Sequence, residues 1–232
     1  MTRALSVIDV AALQEVALTP DGEFAQFAAL ARATGLRHHV TFPMSESVSF
    51  PDRRMGVVLL SRWPLTDARR TLLPNPDLSA RSGSHILRSH DKGMLAARTA
   101  VAGRPFWLGS AHGFPFYLFD RDPSAAPFAA IWSRFADAIN QLDDAPLLLG
   151  ADFNTELRDL LIRRLRRITR RSVVGTPTYR GIESDDIIYT AEFDLRATKV
   201  IPTFSDHDLC ISEFWLATAS GPGRPGWAGQ GR

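Results

Sequence analysis

An acidic and an amide side chain follow a run of aliphatic residues in the segment PLLLGADFNTE, which spans residues 146–156. The leucines at 147–149 predict a strand that is buried on both of its faces. Residues two apart in a strand project from the same face, so Asp152 and Asn154 are expected to leave the strand's end together. This pair predicts a polar site in which an acid and an amide hold the ligand. The alternative is an Asx-turn in which both residues cap the following helix.

The same pattern, a polar residue at the end of a β-like segment, recurs along the chain. Besides the first pair, its members are Glu15, His112, Asp185, Asp206 and His207. Ligand sites in open α/β sheets gather at strand ends, which gives this repetition a physical reason. The sequence therefore predicts one site that is assembled from several strands.

These side chains need a scaffold, which the hydrophobic pattern predicts in outline. Strands are predicted at Val10–Val16, Arg37–Phe42, Val57–Ser61, Met94–Val101, Pro105–Ser110, Asp186–Thr190 and Leu209–Leu216. Helices are predicted at Ala4–Val10, Glu23–Thr34, Ser124–Gln141 and Thr155–Arg171. The mixture predicts an α/β domain over residues 1–217. A Gly/Pro-rich tail, residues 218–232, is expected to be disordered.

Composition narrows the class of protein. Of the 232 residues, 45% are hydrophobic and 22% are charged, which is typical of a globular chain with a sizeable core. The formal charge of +2 is compatible with an anionic substrate without requiring one. The single cysteine, Cys210, excludes an internal disulfide framework and predicts a reducing compartment. No apolar run approaches the length of a membrane span, and the N-terminus lacks a signal-peptide pattern. The protein is therefore expected in the cytoplasm, or outside the cell if the true start lies upstream. A monomer is expected.

Six motifs follow one another along the chain: DVAALQEV, GVVLLSRWP, KGMLAARTAV, LGSAHGFP, LLLGADFNTE, and SDDIIYT together with SDHDLCISEFWL. In this order they resemble the endonuclease/exonuclease/phosphatase family, which has the deoxyribonuclease I-like fold. Any one of these motifs is weak, whereas six in order over residues 9–216 are specific. The resemblance implies a four-layer α/β sandwich of two packed mixed β-sheets flanked by helices. It also implies a divalent-metal phosphoester site where the loops of the two sheets converge.

The resemblance implies which residues bind the metal and which histidine is catalytic. Glu15 is implied as a metal ligand and Asp206 as a second acid near the metal. The cation would be Mg²⁺, with Mn²⁺ as a substitute, because hard cations prefer oxygen ligands. His207 matches the family's catalytic histidine, which a carboxylate polarises so that it activates water or holds phosphoryl charge. Asp185 is the predicted partner of His207, although Asp186 also satisfies the family's D-x-I pattern.

The family's G-D-x-N pattern matches Asp152 and Asn154, with Ala151 where the family has glycine. The resemblance implies that Asp152 orients the attacking water or assists the leaving oxygen. Asn154 would donate hydrogen bonds to the phosphate or fix Asp152, and His112 would contact the scissile phosphate. The family also has an asparagine-bearing strand before the glutamate, and no asparagine precedes Glu15 here. This departure predicts a weakened metal site or a start downstream of the true one, and it leaves a sheet edge unpaired.

The expected function is Mg²⁺-dependent phosphoester hydrolysis by a phosphodiesterase that acts on nucleic acid. The alternatives are a phosphatase, a phospholipid-type phosphodiesterase, or an impaired member that only binds phosphate. A basic arc on the helix predicted over Thr155–Arg171 suits a nucleic-acid backbone or an anionic lipid surface, and a solvated face is the other interpretation. The arc consists of Arg163, Arg164, Arg166, Arg167, Arg170 and Arg171. The aromatic loop 114–117 is expected to pack on its own domain, with base stacking as the alternative.

Overall fold

A computed structural model of the protein describes residues 8–217. Its strands are β1 (Val10–Leu18), β2 (His38–Glu46), β3 (Arg54–Ser61), β4 (Thr66–Leu72), β5 (Ser79–Ser82), β6 (His85–Arg88), β7 (Gly93–Val101), β8 (Arg104–His112), β9 (Leu147–Asp152), β10 (Thr169–Arg171), β11 (Asp185–Thr190), β12 (Phe193–Ile201) and β13 (Leu209–Leu216). The helices are α1 (Phe27–Thr34), α2 (Ala129–Asn140) and α3 (Asp159–Ile162), with short 3-10 turns at Phe116–Phe119 and Ala126–Phe128. The predicted tail, and most of the helix predicted over Ala4–Val10, lie outside the described residues.

The strands form one large sheet, one small sheet and two hairpins. The large sheet has the order β10-β11-β9-β8-β7-β4, and its β8–β9 pair is parallel while the other pairs are antiparallel. The small sheet has the antiparallel order β1-β3-β2, which leaves β1 at an edge. The remaining strands pair as the hairpins β5–β6 and β12–β13. Within residues 8–217, β3 is the only strand that pairs with β1.

The core lies in layers, because each sheet is apolar on both faces. Val57 of β3, Leu95 of β7 and Leu108 of β8 belong to the cluster between the two sheets. On the outer face of the large sheet, helix α2 packs Trp132 and Phe135 into a second cluster. Helix α1 covers the outer face of the small sheet through a third cluster. The succession of helix, sheet, sheet and helix confirms the predicted four-layer α/β sandwich.

Close contact between the sheets brings β1 to the end of the large sheet where the site lies. A Cβ atom at Gly150 would lie 2.9 Å from the Cβ atom of Ala12 in β1, so glycine permits this approach. Gln14 of β1 donates from Nε2 to Oγ of Ser110 at 3.0 Å, and that hydroxyl donates to the Leu13 carbonyl at 3.0 Å. The next residue in β1, Glu15, is therefore held beside the ends of β8 and β9.

The prediction of one long helix over Thr155–Arg171 was wrong, so the arginines do not form the predicted basic arc. Helix α3 ends at Ile162, after which Asn140 binds the turning chain through the Arg164 carbonyl at 3.0 Å and the Arg166 amide at 2.9 Å. Residues 169–171 pair instead with β11 as a strand. Tertiary contacts here override the helix propensity of an arginine-rich segment.

Other predicted elements agree in kind and differ in their ends. The strand Leu209–Leu216 has the predicted bounds, whereas α1 begins at Phe27 and α2 at Ala129, later than expected. Strands β4, β5, β6, β10 and β12 were missed, since many of their residues are polar and exposed. Phe114 and Phe116 are buried, which confirms that the aromatic loop packs on its own domain. Within residues 8–217, no helix is long and apolar enough to cross a membrane.

Candidate active site

Three neighbouring strands of the large sheet place one polar residue each in a row. The parallel register pairs His112 at the end of β8 with Asp152 at the end of β9. The antiparallel register then pairs Asp152 with Asp185 at the start of β11. Residues that are paired across a sheet project from the same face, so the register brings all three side chains together.

The histidine of the last loop completes this row. Nδ1 of His207 lies 2.8 Å from Oδ2 of Asp185, and the ring stacks on Tyr179 with 4.4 Å between ring centroids. The loop is fixed because Thr203 donates its hydroxyl to the His207 carbonyl at 2.9 Å. Partial burial opposes a charge on the ring, but the hydrogen bond to Asp185 and the charges of the surrounding acids outweigh it and raise the pKa of His207 to about 9. The imidazole therefore carries a proton near neutral pH.

Both carboxylate oxygens of the buried Asp152 accept hydrogen bonds. Its Oδ1 accepts the Ser184 hydroxyl at 2.8 Å and the Asn154 amide N–H at 2.9 Å. Its Oδ2 accepts the Asn154 side-chain amide at 3.0 Å and lies 3.3 Å from Nε2 of His112. Burial alone would raise the pKa of this carboxyl, but the contact with His112, the charge of His207 and the Ser184 hydroxyl hold the pKa well below its usual range. Asp152 is therefore ionised.

Asn154 is oriented by three groups. Its side-chain NH₂ donates to the Gly113 carbonyl at 3.1 Å as well as to Asp152, and its Oδ1 accepts the Tyr117 hydroxyl at 3.3 Å. The backbone of Asn154 has φ 53°, in the left-handed region that asparagine tolerates better than most residues. Both protons of the side-chain amide are therefore engaged within the chain.

A buried lysine, Lys92, lies behind His112 and was missed by the sequence analysis. Its Nζ is 3.1 Å from Nδ1 and 3.0 Å from Nε2 of His112, and it lies 3.7 Å from Oε1 of Glu15. Burial lowers the pKa of both Lys92 and His112, and the lysine charge lowers that of His112 further. The signal was present in the motif KGMLAARTAV, where a lysine precedes the first glycine of a buried strand, but lysine is so often exposed that its type alone indicates nothing.

Glu15 reaches the site through an irregularity in β1. The pairing of β1 with β3 shifts register between Leu13 and Val16, and Glu15 itself has φ 52°. A bulge of this kind re-aims a side chain. The Glu15 carboxylate, 63% exposed, lies 3.6 Å from Nε2 of His112 and opens towards solvent.

Two of the acids in the site lie close to His207, whereas Glu15 and Asp206 lie apart from each other. Ligand atoms of Asp152, Asp185 and His207 lie within 4.8 Å of one another. Asp206 is exposed, and its side chain accepts the Ser205 hydroxyl at 3.3 Å. No contact of the described residues joins Glu15 directly to Asp206.

Asp186 faces away from the site. Its Oδ2 lies 2.6 Å from Nε of Arg171 and 3.7 Å from Nε of Arg158, and both Asp186 and Arg158 are buried. Arg158 also donates to the carbonyls of Glu183 at 2.6 Å and Ser184 at 2.9 Å. This network holds the chain immediately before Asp185, so Asp185 is the acid that meets His207.

A layered α/β sandwich with an acid–histidine site at its strand ends defines a class of hydrolases that act on phosphate esters. The endonuclease/exonuclease/phosphatase family model matches residues 1–229, and the chain belongs to that family. A search of curated proteins gave no match.

Solved structures with the same fold are distant in sequence. An endonuclease/exonuclease/phosphatase from Beutenbergia cavernae has a TM-score of 0.66 at 19% identity, with 94% of this chain and 66% of that chain covered. The human Nocturnin catalytic domain with bound sulfate has a TM-score of 0.60 at 19% identity, with coverage of 90% and 81%. D. rerio TDP2 in complex with a single-strand DNA product has a TM-score of 0.55 at 13% identity, with coverage of 91% and 87%. These similarities confirm the fold, and the chain spans just under two thirds of the first structure.

Proposed function

We propose that this protein hydrolyses phosphodiester bonds of nucleic acid and that it requires Mg²⁺, with Mn²⁺ as a substitute. The observation that carries the proposal is the 2.8 Å contact between His207 and Asp185 beside the buried carboxylate of Asp152. A cationic ring and an ionised acid at one place can neutralise charge on the phosphoryl oxygens and orient the attacking water.

The protonation states of His207 and Asp152 determine the role that we propose for each residue. His207 is protonated near neutral pH, so it serves to hold phosphoryl charge rather than to remove a proton from water. Asp152 is ionised and serves to orient the attacking water or to assist the leaving oxygen. Asn154 fixes Asp152 in position through its side-chain amide. Asp185 keeps His207 charged and sets the direction of its ring.

His112 and Lys92 support Asp152 from the buried side. His112 is only 1% exposed, so it would act on the phosphate through Asp152 rather than by direct contact. Nε2 of a neutral ring can donate to Oδ2 of Asp152, 3.3 Å away, while Nζ of Lys92 lies equally close to both ring nitrogens.

Glu15 and Asp206 are the proposed metal ligands. Each carboxylate is exposed and is a suitable ligand for a hard cation, and the contacts of Glu15 with Lys92 and His112, at 3.7 and 3.6 Å, are too long to be hydrogen bonds. Among the described residues, the ligand atoms that already lie close enough together to hold an ion are those of Asp152, Asp185 and His207. When bound, the cation would polarise a phosphoryl oxygen as a Lewis acid. The bulge in β1 directs the Glu15 side chain towards the site.

Nucleic acid is the proposed substrate class because the family includes endonucleases and exonucleases, and because TDP2, which has the same fold, was solved with a single-strand DNA product. The predicted arginine arc no longer supports this choice. Arg163, Arg167 and Arg171 are engaged with Asp159, Glu192 and Glu183, respectively.

The test is hydrolysis of plasmid DNA, bis(p-nitrophenyl) phosphate and p-nitrophenyl phosphate by the purified chain with Mg²⁺, with Mn²⁺ and with EDTA. Metal-dependent cleavage of the two diesters that is lost in His207→Ala supports the proposal. Turnover of the monoester alone would assign a phosphatase instead. No turnover of any substrate by folded protein would contradict an active hydrolase, and retained binding of phosphate would then indicate the impaired member.

A further inference from the structure

The hairpin β5–β6, with its turn at Gly83 and Ser84, is exposed on both faces. Residues 79–88 are exposed throughout except for the half-buried Ala80, and the large apolar side chain of Ile86 is 61% exposed. A two-stranded hairpin with both faces in water is marginal by itself. We call this segment, residues 79–88, the arm.

The base of the arm is nevertheless firmly attached next to the active site. The Ser89 amide donates to the Leu78 carbonyl at 2.9 Å, and the Leu78 amide donates to the Ser89 hydroxyl at 2.8 Å. Leu78 packs against the core of the large sheet. Lys92 follows shortly after the arm, and Gly93 pairs directly with His112. Strand β5 also lies beside the 3-10 turn that carries Tyr117, so the arm borders the site.

The charge of the arm has one sign. It contains Arg81, His85 and Arg88 and no carboxylate. In the part of the chain that the structure describes, neither arginine forms an ion pair. The register pairs Ser79 with Arg88 and Arg81 with Ile86, so both arginines project from the same face of the hairpin. Their Cα atoms are diagonal neighbours, about 7–8 Å apart, so both guanidinium groups can reach one phosphate backbone.

We propose that this face of the arm binds the phosphate backbone of a nucleic-acid strand on one side of the scissile bond. The inference deepens the proposed function and rests on it for the direction of the strand through the site. Unpaired arginines next to a phosphoester site complement a polyanion, and contacts of this kind are independent of base sequence. An anionic membrane fits the arm less well. Its tip is Gly83-Ser84, and alternation places Ile86 and Leu87 on opposite faces, so no apolar tip is available to enter lipid.

The experiment compares the full chain with the double variant Arg81→Gln/Arg88→Gln. The matched control is Arg37→Gln/Arg134→Gln, which removes the same charge from two other exposed arginines. Binding of a fluorescein-labelled single-stranded 20-mer is measured by anisotropy in EDTA at several salt concentrations. We expect about a tenfold weaker Kd for the arm variant at low salt. The slope of log K against log salt should become shallower by about 1.4, the value for two lost phosphate contacts on a single strand.

Three results would overturn the proposal. The first is equal affinity and equal salt slope for the arm variant and the control. The second is unchanged DNA binding with weakened binding to phosphatidylserine vesicles, which would assign the arm to membranes. The third is a fall in bis(p-nitrophenyl) phosphate turnover as large as the loss of DNA binding, which would place the arginines in the folding of the site. If the wild type binds DNA through the arm but hydrolyses neither diester, the inference about the arm holds and the proposed catalytic function fails.

Discussion

Asp185 and Asp186 are neighbours in β11, yet they bind different partners on opposite faces of the sheet. Asp185 meets His207 at 2.8 Å in the site, whereas Asp186 meets Arg171 at 2.6 Å beneath it. Successive strand residues always alternate in this way. The two acids therefore have separable functions, one electrostatic and one structural, and this separation can be tested.

The first prediction concerns the charge of His207. In Asp185→Asn the pKa of His207 should fall from about 9 towards its ordinary value, because the largest favourable contact of the imidazolium is lost. Diester turnover should fall by about 100-fold or more. The pKa is measured by NMR titration of the histidine ring in EDTA. Asp186→Asn is the control, and a similar pKa change in that variant would contradict the assignment.

The second prediction concerns stability against pH. His207 binds its proton more tightly in the folded chain than in the unfolded one, so its contribution is fully present below about pH 6.5 and is lost as pH rises through about 9. Because the ring is partly exposed, the discounted contribution is about 1–2 kcal/mol. Urea unfolding of the wild type and Asp185→Asn at pH 6 and pH 10 provides the measurement. The free-energy difference between the two proteins should shrink at pH 10, and a difference that stays constant would contradict the linkage.

The third prediction separates the backbone of Asn154 from its side chain. Asn154→Gly and Asn154→Ala both remove the amide contacts to Asp152 and Gly113, but only alanine is strained at φ 53°. The glycine variant should therefore unfold with a free energy about 1 kcal/mol higher than the alanine variant. Both should lose diester turnover to a similar extent. If glycine restored turnover, the role of Asn154 would belong to its backbone.

The fourth prediction concerns the buried arginine beneath the site. Arg158→Met leaves Arg171 as the only charged partner that Asp186 has among the described residues, and it removes the hydrogen bonds to the carbonyls of Glu183 and Ser184. Loss of one partner in a buried charge network should cost about 3 kcal/mol of unfolding free energy. Arg163→Met, which breaks an exposed pair with Asp159, should cost less than about 0.5 kcal/mol. Urea midpoints of the two variants test this ranking, which equal losses would refute.

The sequence by itself indicated the buried strands and the residue types of the site, and the order of its motifs indicated the fold through a family resemblance. Buried strands carry their signal locally, in apolar runs such as Leu147–Leu149, and each motif residue follows its own strand. Alternation within the strand also made Asp152 and its partner Asn154 a recognisable pair. These features depend on neighbours close along the chain, so they can be read without knowing the fold.

Only the tertiary structure decided which of these groups meet. The register between β9 and β11 places Asp185 and not Asp186 at the site, and no local pattern contains that register. Burial of Lys92 depends on strands that are distant in sequence, so its type alone gave no indication. The arginines after Ile162 form no helical face, because Asn140, Glu183 and Glu192 bind them from elsewhere in the chain. Long-range pairing decided these points, since a side chain's environment is set by what packs against it and not by the residues beside it.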